Sequence, residues 1–180
     1  MPIESQETPI EQLPAAELPD LDGSPVDLGA TLAGHPGVVL FTCNHCPYVQ
    51  HIERRIGEIA RELSQTRFVA ICSNDADTYP EDDVAGLRTQ VARAGWDFPY
   101  LIDASQQVAR DFGAVCTPDC YVFAPDGALL YRGAIDDTRP NSGGPARGDY
   151  LIAAIRAAGG QGAVPAGRPS LGCSIKWRTT

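Results

Sequence analysis

The spacing of apolar positions along the chain changes several times, and each change marks an element. Val38 to Phe41 is a continuous apolar run carried on by Thr42, short enough for a strand buried on both faces. After it, Val49, Ile52, Ile56, Ile59, Ala60 and Leu63 recur at threes and fours, which predicts an amphipathic helix. Pro47 fits only the first turn of that helix, because its ring excludes an interior position. Arg67 to Cys72 and Phe98 to Ile102 read as further strands. Helices are predicted over Asp82 to Ala94, from Val84, Leu87, Val91 and Ala94, and over Gln106 to Phe112, closed by Gly113. Tyr121 to Phe123 and Ala128 to Ile135 flank a Pro125-Asp126-Gly127 turn, an antiparallel hairpin. Asp149 to Ala158 is the last predicted helix.

Strands alternating with helices and then a hairpin predict an α/β fold with a mixed central sheet. Residues 1–36 are punctuated by proline and hold a short hairpin on Asp22-Gly23, an N-terminal extension. Residues 37–158 form the core. Residues 159–180 are a linker and a C-terminal tail, expected to fold back and dock through Ile175 and Trp177. The stretch from Asp136 to Gly148 is a polar loop; Gly143-Gly144 lacks the Lys-Ser/Thr partner of a phosphate cradle.

Composition narrows the function. At 180 residues with 43% hydrophobic content, a single domain is expected. A net charge of −9 leaves no basic stripe for phosphates, which argues against nucleic-acid binding. The N-terminus lacks the pattern of a signal peptide and no apolar run would span a bilayer, so the chain is expected to be cytoplasmic, away from membranes. Its six cysteines would then rest mostly as thiols, and a disulfide among them would be catalytic or sensing.

Two of those cysteines carry the chemistry. Cys43-Asn-His-Cys46 sits where the first buried strand meets the first long helix. Unpaired N–H groups and the positive end of a helix dipole stabilise a thiolate there, and the thiolate is the nucleophile.

Together with the segment Gly113-Ala-Val-Cys-Thr-Pro-Asp119, this order of elements resembles the thioredoxin superfamily. More closely it resembles the peroxiredoxin-like, TlpA-like redoxins of AhpC/TSA type. Cys43 to Val49, Ser73-Asn-Asp75, Tyr131-Arg-Gly with Ile135-Asp-Asp137, and Gly172-Cys-Ser-Ile-Lys-Trp177 resemble one subgroup, over about Leu18 to Trp177. The resemblance implies a cis Thr117-Pro118 peptide beside the dithiol, with the exposed backbone of Thr117 holding a substrate peptide. Two departures stand out. In the peroxidatic motif Pro-x-x-x-Thr/Ser-x-x-Cys, Cys46 takes the cysteine position, but Cys43 stands at the hydroxyl and Val39 at the proline. The acidic residue thioredoxins keep on the strand beneath the disulfide is absent from Gly37 to Thr42.

Cys43, first of the pair and expected at the exposed edge of the turn, is the candidate nucleophile; Cys46 is the resolving thiol. A cationic His45 would lower the first thiol and make the disulfide easier to reduce, nearer the isomerase potential of about −180 mV than the thioredoxin value of about −270 mV. Cys116 and Cys173 are possible additional redox thiols, with Cys116 alternatively a packed hydrophobe. Cys72 and Cys120 are expected in the core, and His35 and His51 on the surface. Zinc on Cys43, Cys46, Cys116 and Cys120 is disfavoured, since extended positions four apart lie roughly 13 Å from each other against sulfur bonds of about 2.3 Å. Asp136 and Asp137 are read as loop-forming, paired with Arg132 or Arg139.

The sequence thus points to a thiol–disulfide oxidoreductase cycling Cys43 and Cys46 without a cofactor. Its partners would be a disulfide-bearing protein or small thiol substrate, and a thioredoxin reductase or another thiol electron donor. The alternatives are a peroxiredoxin-like hydroperoxide reductase and a non-catalytic module, including a copper(I) carrier on Cys43, Cys46 and His45.

Overall fold

The computed structural model describes residues 1–179. From the N-terminus come β1 (Ile3–Glu4), β2 (Glu17–Pro19), β3 (Pro25–Asp27), α1 (Leu28–Leu32), β4 (Gly37–Phe41), α2 (Pro47–Glu62) and β5 (Arg67–Cys72). They are followed by α3 (Val84–Ala94), β6 (Tyr100–Ile102), α4 (Gln107–Phe112), β7 (Cys116–Thr117), β8 (Asp119–Phe123), β9 (Leu129–Gly133), α5 (Asp149–Ala158) and β10 (Leu171–Ser174).

The main sheet has the order β6-β5-β4-β8-β9. β4 runs parallel to β5 and antiparallel to β8, so the sheet is mixed as predicted. β4 is central and buried throughout, which explains its unbroken apolar sequence. Its alternating side chains feed two cores. Val38 and Leu40 pack with Ile52, Ile56 and Ile59 of α2, Leu87 of α3 and Leu151 of α5. Val39 and Phe41 pack on the other face with Leu28 of α1 and Phe112 of α4. Each such side chain, fully buried, contributes about 1.5–3 kcal/mol. α2 and α3 approach so closely that a Cβ on Gly57 would fall 2.8 Å from the Ala94 carbonyl oxygen.

Local chemistry moves several boundaries. α3 begins at Val84 because Asp83 accepts the Gly86 N–H at 2.8 Å, and residues 80–82 form a 3-10 turn before it. β6 begins only at Tyr100; Pro99 before it has no N–H to give a ladder. α1 was not predicted; Asp27 caps it by accepting the Ala30 N–H at 2.7 Å.

The tail docks as expected, but as a strand. β10 lies between β1 and β7, antiparallel to both, in a second sheet of order β1-β10-β7. Beyond it Ile175 is buried, Arg110 lies 4.8 Å over the Trp177 ring, and the Lys176 N–H meets Asn74 Oδ1 at 2.8 Å. The predicted pairing of the Asp136–Asp137 loop with Arg132 or Arg139 does not form. Arg132 reaches the fully buried Asp119 instead, at 2.7 Å, and Asp137 pairs with Arg147. Asp136 does shape its loop, accepting from the N–H groups of Thr138, Arg147 and Gly148.

Candidate active site

Thr117 is the hub of the site. Its peptide bond to Pro118 is cis. Its hydroxyl lies 3.4 Å from Cys43 Sγ, and its carbonyl oxygen 3.3 Å from Cys46 Sγ. Its backbone is in register with Cys173 across the β7–β10 pair. Gly172 permits that pairing, since a Cβ there would fall 1.8 Å from the Thr117 carbonyl oxygen. Three cysteines therefore converge on one residue: Cys43 and Cys46 through their sulfurs from the β4–α2 junction, and Cys173 through its backbone from the tail.

The expected substrate edge is closed. Thr117 is 2% exposed, and β10 covers the backbone that the resemblance left open for a substrate peptide. Cys43 is not at an exposed edge either: it is 1% exposed and Cys46 is fully buried. The sequence could not show this, because the cover comes from β10, which lies far along the chain from both Thr117 and the dithiol.

The two thiols also differ in their electrostatics. Cys46 is the N-cap residue of α2, at the positive end of the helix dipole, and makes no side-chain capping bond. Its thiol is lowered to about 5, first because the Cys43 thiol hydrogen-bonds to it and then because the Cys173 thiol and the N–H groups of Cys173 and Val49 point at it. The Cys43 thiol is raised well above its ordinary value, chiefly by giving that hydrogen bond to Cys46, then by burial and the Asp82 charge. The two thiols are thus shifted in opposite directions, Cys46 down and Cys43 up. The anticipated lowering of Cys43 by His45 is overridden.

Asp82 is the residue the sequence reading missed. It is 3% exposed and accepts the Asn44 N–H at 2.8 Å and the Asn74 side-chain amide at 2.7 Å. His45 Nδ1 stands 2.7 Å from Asp82 Oδ2, the oxygen that also accepts from Asn74, but is not aligned for a hydrogen bond, and the ring stacks on Tyr79 at 5.9 Å. A carboxylate thus sits beside the dithiol although β4 carries none; it arrives from the turn before α3. Among the described residues, Cys43, His45 and Asp82 are the group whose ligand atoms, all within 4.8 Å of one another, could hold a metal ion. Neither the four-sulfur set nor the copper set appears as such a group, and the carboxylate is harder than copper(I) prefers.

The remaining cysteines divide cleanly. Cys72 and Cys120 are buried, as expected, and burial pushes the Cys72 thiol up to about 12. Cys116 is fully buried with a raised thiol, the setting of a packed hydrophobe. Cys173 alone among the six keeps partial solvent contact. His35 and His51 are half-buried; His51 Nε2 meets Thr138 Oγ1 at 2.9 Å. A groove beside Pro118 is lined by Tyr48, His51, Asp137, Arg139 and Leu171.

The family model described as AhpC/TSA family matches residues 9–132, the span holding the dithiol, Asp82 and Thr117. The chain belongs to the AhpC/TSA family. No curated protein matches this AhpC/TSA chain. Among solved structures, an uncharacterized conserved protein from Geobacillus kaustophilus is 40% identical, covering 100% of this chain and 98% of its own, with a TM-score of 0.92. A protein from Sinorhizobium meliloti 1021 is 34% identical over 98% of this chain and 99% of its own, with a TM-score of 0.92. A secreted Mycobacterium tuberculosis disulfide oxidoreductase homologous to E. coli DsbE is 22% identical over 79% of this chain and 95% of its own, with a TM-score of 0.61. The last likeness shows the fold, which is that of thioredoxin.

Proposed function

We propose that this AhpC/TSA protein is a thiol–disulfide oxidoreductase whose electron store is the Cys43–Cys46 pair. The observation that carries the reading is the placement of Cys43 and Cys46 on one residue beside a cis peptide, with Cys43 Sγ 3.4 Å from the Thr117 hydroxyl and Cys46 Sγ 3.3 Å from the Thr117 carbonyl oxygen; the Cys46 thiol is lowered and the Cys43 thiol raised. Such a pair has a ready thiolate and a neighbouring thiol to close a disulfide on it. In the cycle, two electrons leave the pair as the S–S bond forms, and an external disulfide takes them up as two thiols. An external thiol donor restores the dithiol. The test is turnover: with an external thiol donor the protein should reduce insulin disulfides, and Cys46→Ser should not. Wild-type protein that turns over no faster than the donor alone would refute the reading.

A second reading rests on family membership together with the lowered thiol at Cys46, the peroxidatic position. Cys46 thiolate would then attack a hydroperoxide. Against it stands the position three residues earlier, where a thiol replaces the expected hydroxyl. Oxidation by hydrogen peroxide at the rate of free cysteine would dispose of this reading.

A further inference from the structure

The proposed cycle has a gap. The two sulfurs that store electrons are buried, and the backbone edge beside them is already paired, so a bulky disulfide has no direct route to either. The third sulfur has both properties the pair lacks. Cys173 is partly open to solvent, and it sits opposite Thr117, whose carbonyl oxygen lies 3.3 Å from Cys46 Sγ. β10 holds it there, with Cys173 opposite Thr117 and Gly172 pressed on the Thr117 carbonyl. Cys46 therefore shares its Thr117 contact with buried Cys43 and with partly exposed Cys173 on the covering strand.

We propose that Cys173 is the port of the site, the thiol that exchanges with external disulfides and relays the bond inward through Cys46 to Cys43. The proposal rests on the oxidoreductase reading and adds a residue and an order of events to it. Cys173 sulfur attacks an external disulfide RSSR, forming Cys173–SR; the first RS leaving group takes up the Cys173 proton as RSH. Cys46 thiolate then attacks Cys173 sulfur, forming Cys46–Cys173 and expelling the second RS, which is protonated from the Cys43 thiol. Cys43 thiolate attacks Cys46 sulfur, forming Cys43–Cys46, and Cys173 leaves and regains a proton from water. One external disulfide is reduced to two thiols, and one protein dithiol is oxidised to one disulfide. Geometry favours the middle step, since the register sets Cys173 opposite Thr117, whose carbonyl oxygen lies 3.3 Å from Cys46 Sγ. A protein substrate would then engage the outer face of the tail and leave Thr117 covered.

The experiment uses full-length reduced protein, oxidised glutathione as the disulfide, acid quenching, and peptide mapping of disulfides by mass spectrometry. Wild type should pass through glutathione on Cys173 and end as Cys43–Cys46. Cys43→Ser should stop at Cys46–Cys173; stopping with glutathione on Cys46 overturns the proposal. Cys173→Ser should form Cys43–Cys46 at least tenfold more slowly from oxidised glutathione, while diamide, a small oxidant, still closes the pair. An unchanged rate in Cys173→Ser overturns the relay and leaves the oxidoreductase reading standing. Failure of wild type to form Cys43–Cys46 with either oxidant overturns both. The wild-type mapping requires no variant to fold.

Discussion

Gly172 and Thr117 are in direct backbone contact: a single methyl on Gly172 would sit 1.8 Å from the Thr117 carbonyl oxygen. This contact seals the site. Gly172→Ala must therefore lift β10 from β7, and overpacking of this kind costs about 1–3 kcal/mol. Thermal unfolding should show the loss, and Cys46 should become open to alkylation by iodoacetamide in the folded protein, at least tenfold faster than in wild type.

Asp119 ties the same tail to the main sheet. It is fully buried, pairs with Arg132 at 2.7 Å, and accepts the Ser170 hydroxyl at 2.7 Å. Removing one partner of a buried pair strands the other charge, at a cost of about 3–5 kcal/mol. Asp119→Ala should show a loss of that size in denaturant unfolding, whereas Asp137→Ala, whose partner Arg147 is exposed, should change stability by about 0–1 kcal/mol.

The lowered Cys46 thiol has a pH signature. Between about 5 and the ordinary thiol value of about 8.5, Cys46 is a thiolate when folded and a thiol when unfolded, so the unfolded state binds more protons. Its contribution to stability is complete above that range and is lost as pH falls toward 5. Cys43 works oppositely: its raised thiol keeps a proton that the unfolded chain releases above about 8.5, so its contribution fades in alkali. Reduced wild type should gain stability from pH 5.5 to 8 relative to Cys46→Ser, measured by urea unfolding. Ultraviolet thiolate absorbance should show the Cys46 step near pH 5; a single step near the free-cysteine value would contradict the assignment.

Asp82 raises the Cys43 thiol through its charge and holds the Asn44 and Asn74 groups that shape the turn. Asp82→Asn should therefore lower the Cys43 thiol while loosening the turn, at about 1–3 kcal/mol for the disrupted buried bonds. The thiolate titration of the variant checks the first effect, since a loss of packing alone would leave the titration in place.

What the sequence revealed depended on how local the cause was. β4 and α2 were legible because their apolar periods differ and Pro47 fixes the junction, which located the dithiol within one turn. The cover over it was not, because β7 is two residues long and pairs with a strand beyond a Gly/Pro linker. Asp82 was hidden by its neighbour: with Asp83 serving as the cap, nothing local distinguishes a second acid that turns inward. The opposite shifts of Cys43 and Cys46 come first from each other, and that cover and that acid add to them from parts of the chain far from the dithiol.

The central claim is that Cys43 and Cys46 store two electrons reversibly, and an equilibrium redox titration tests it most directly. Protein equilibrated in glutathione buffers of graded ratio, acid-trapped and mapped by mass spectrometry, should show one two-electron transition at Cys43–Cys46. Because the stabilised Cys46 thiolate makes the disulfide easier to reduce, its potential should lie above the thioredoxin value of about −270 mV. Six thiols persisting at every ratio, or a disulfide that excludes both residues, would contradict the account.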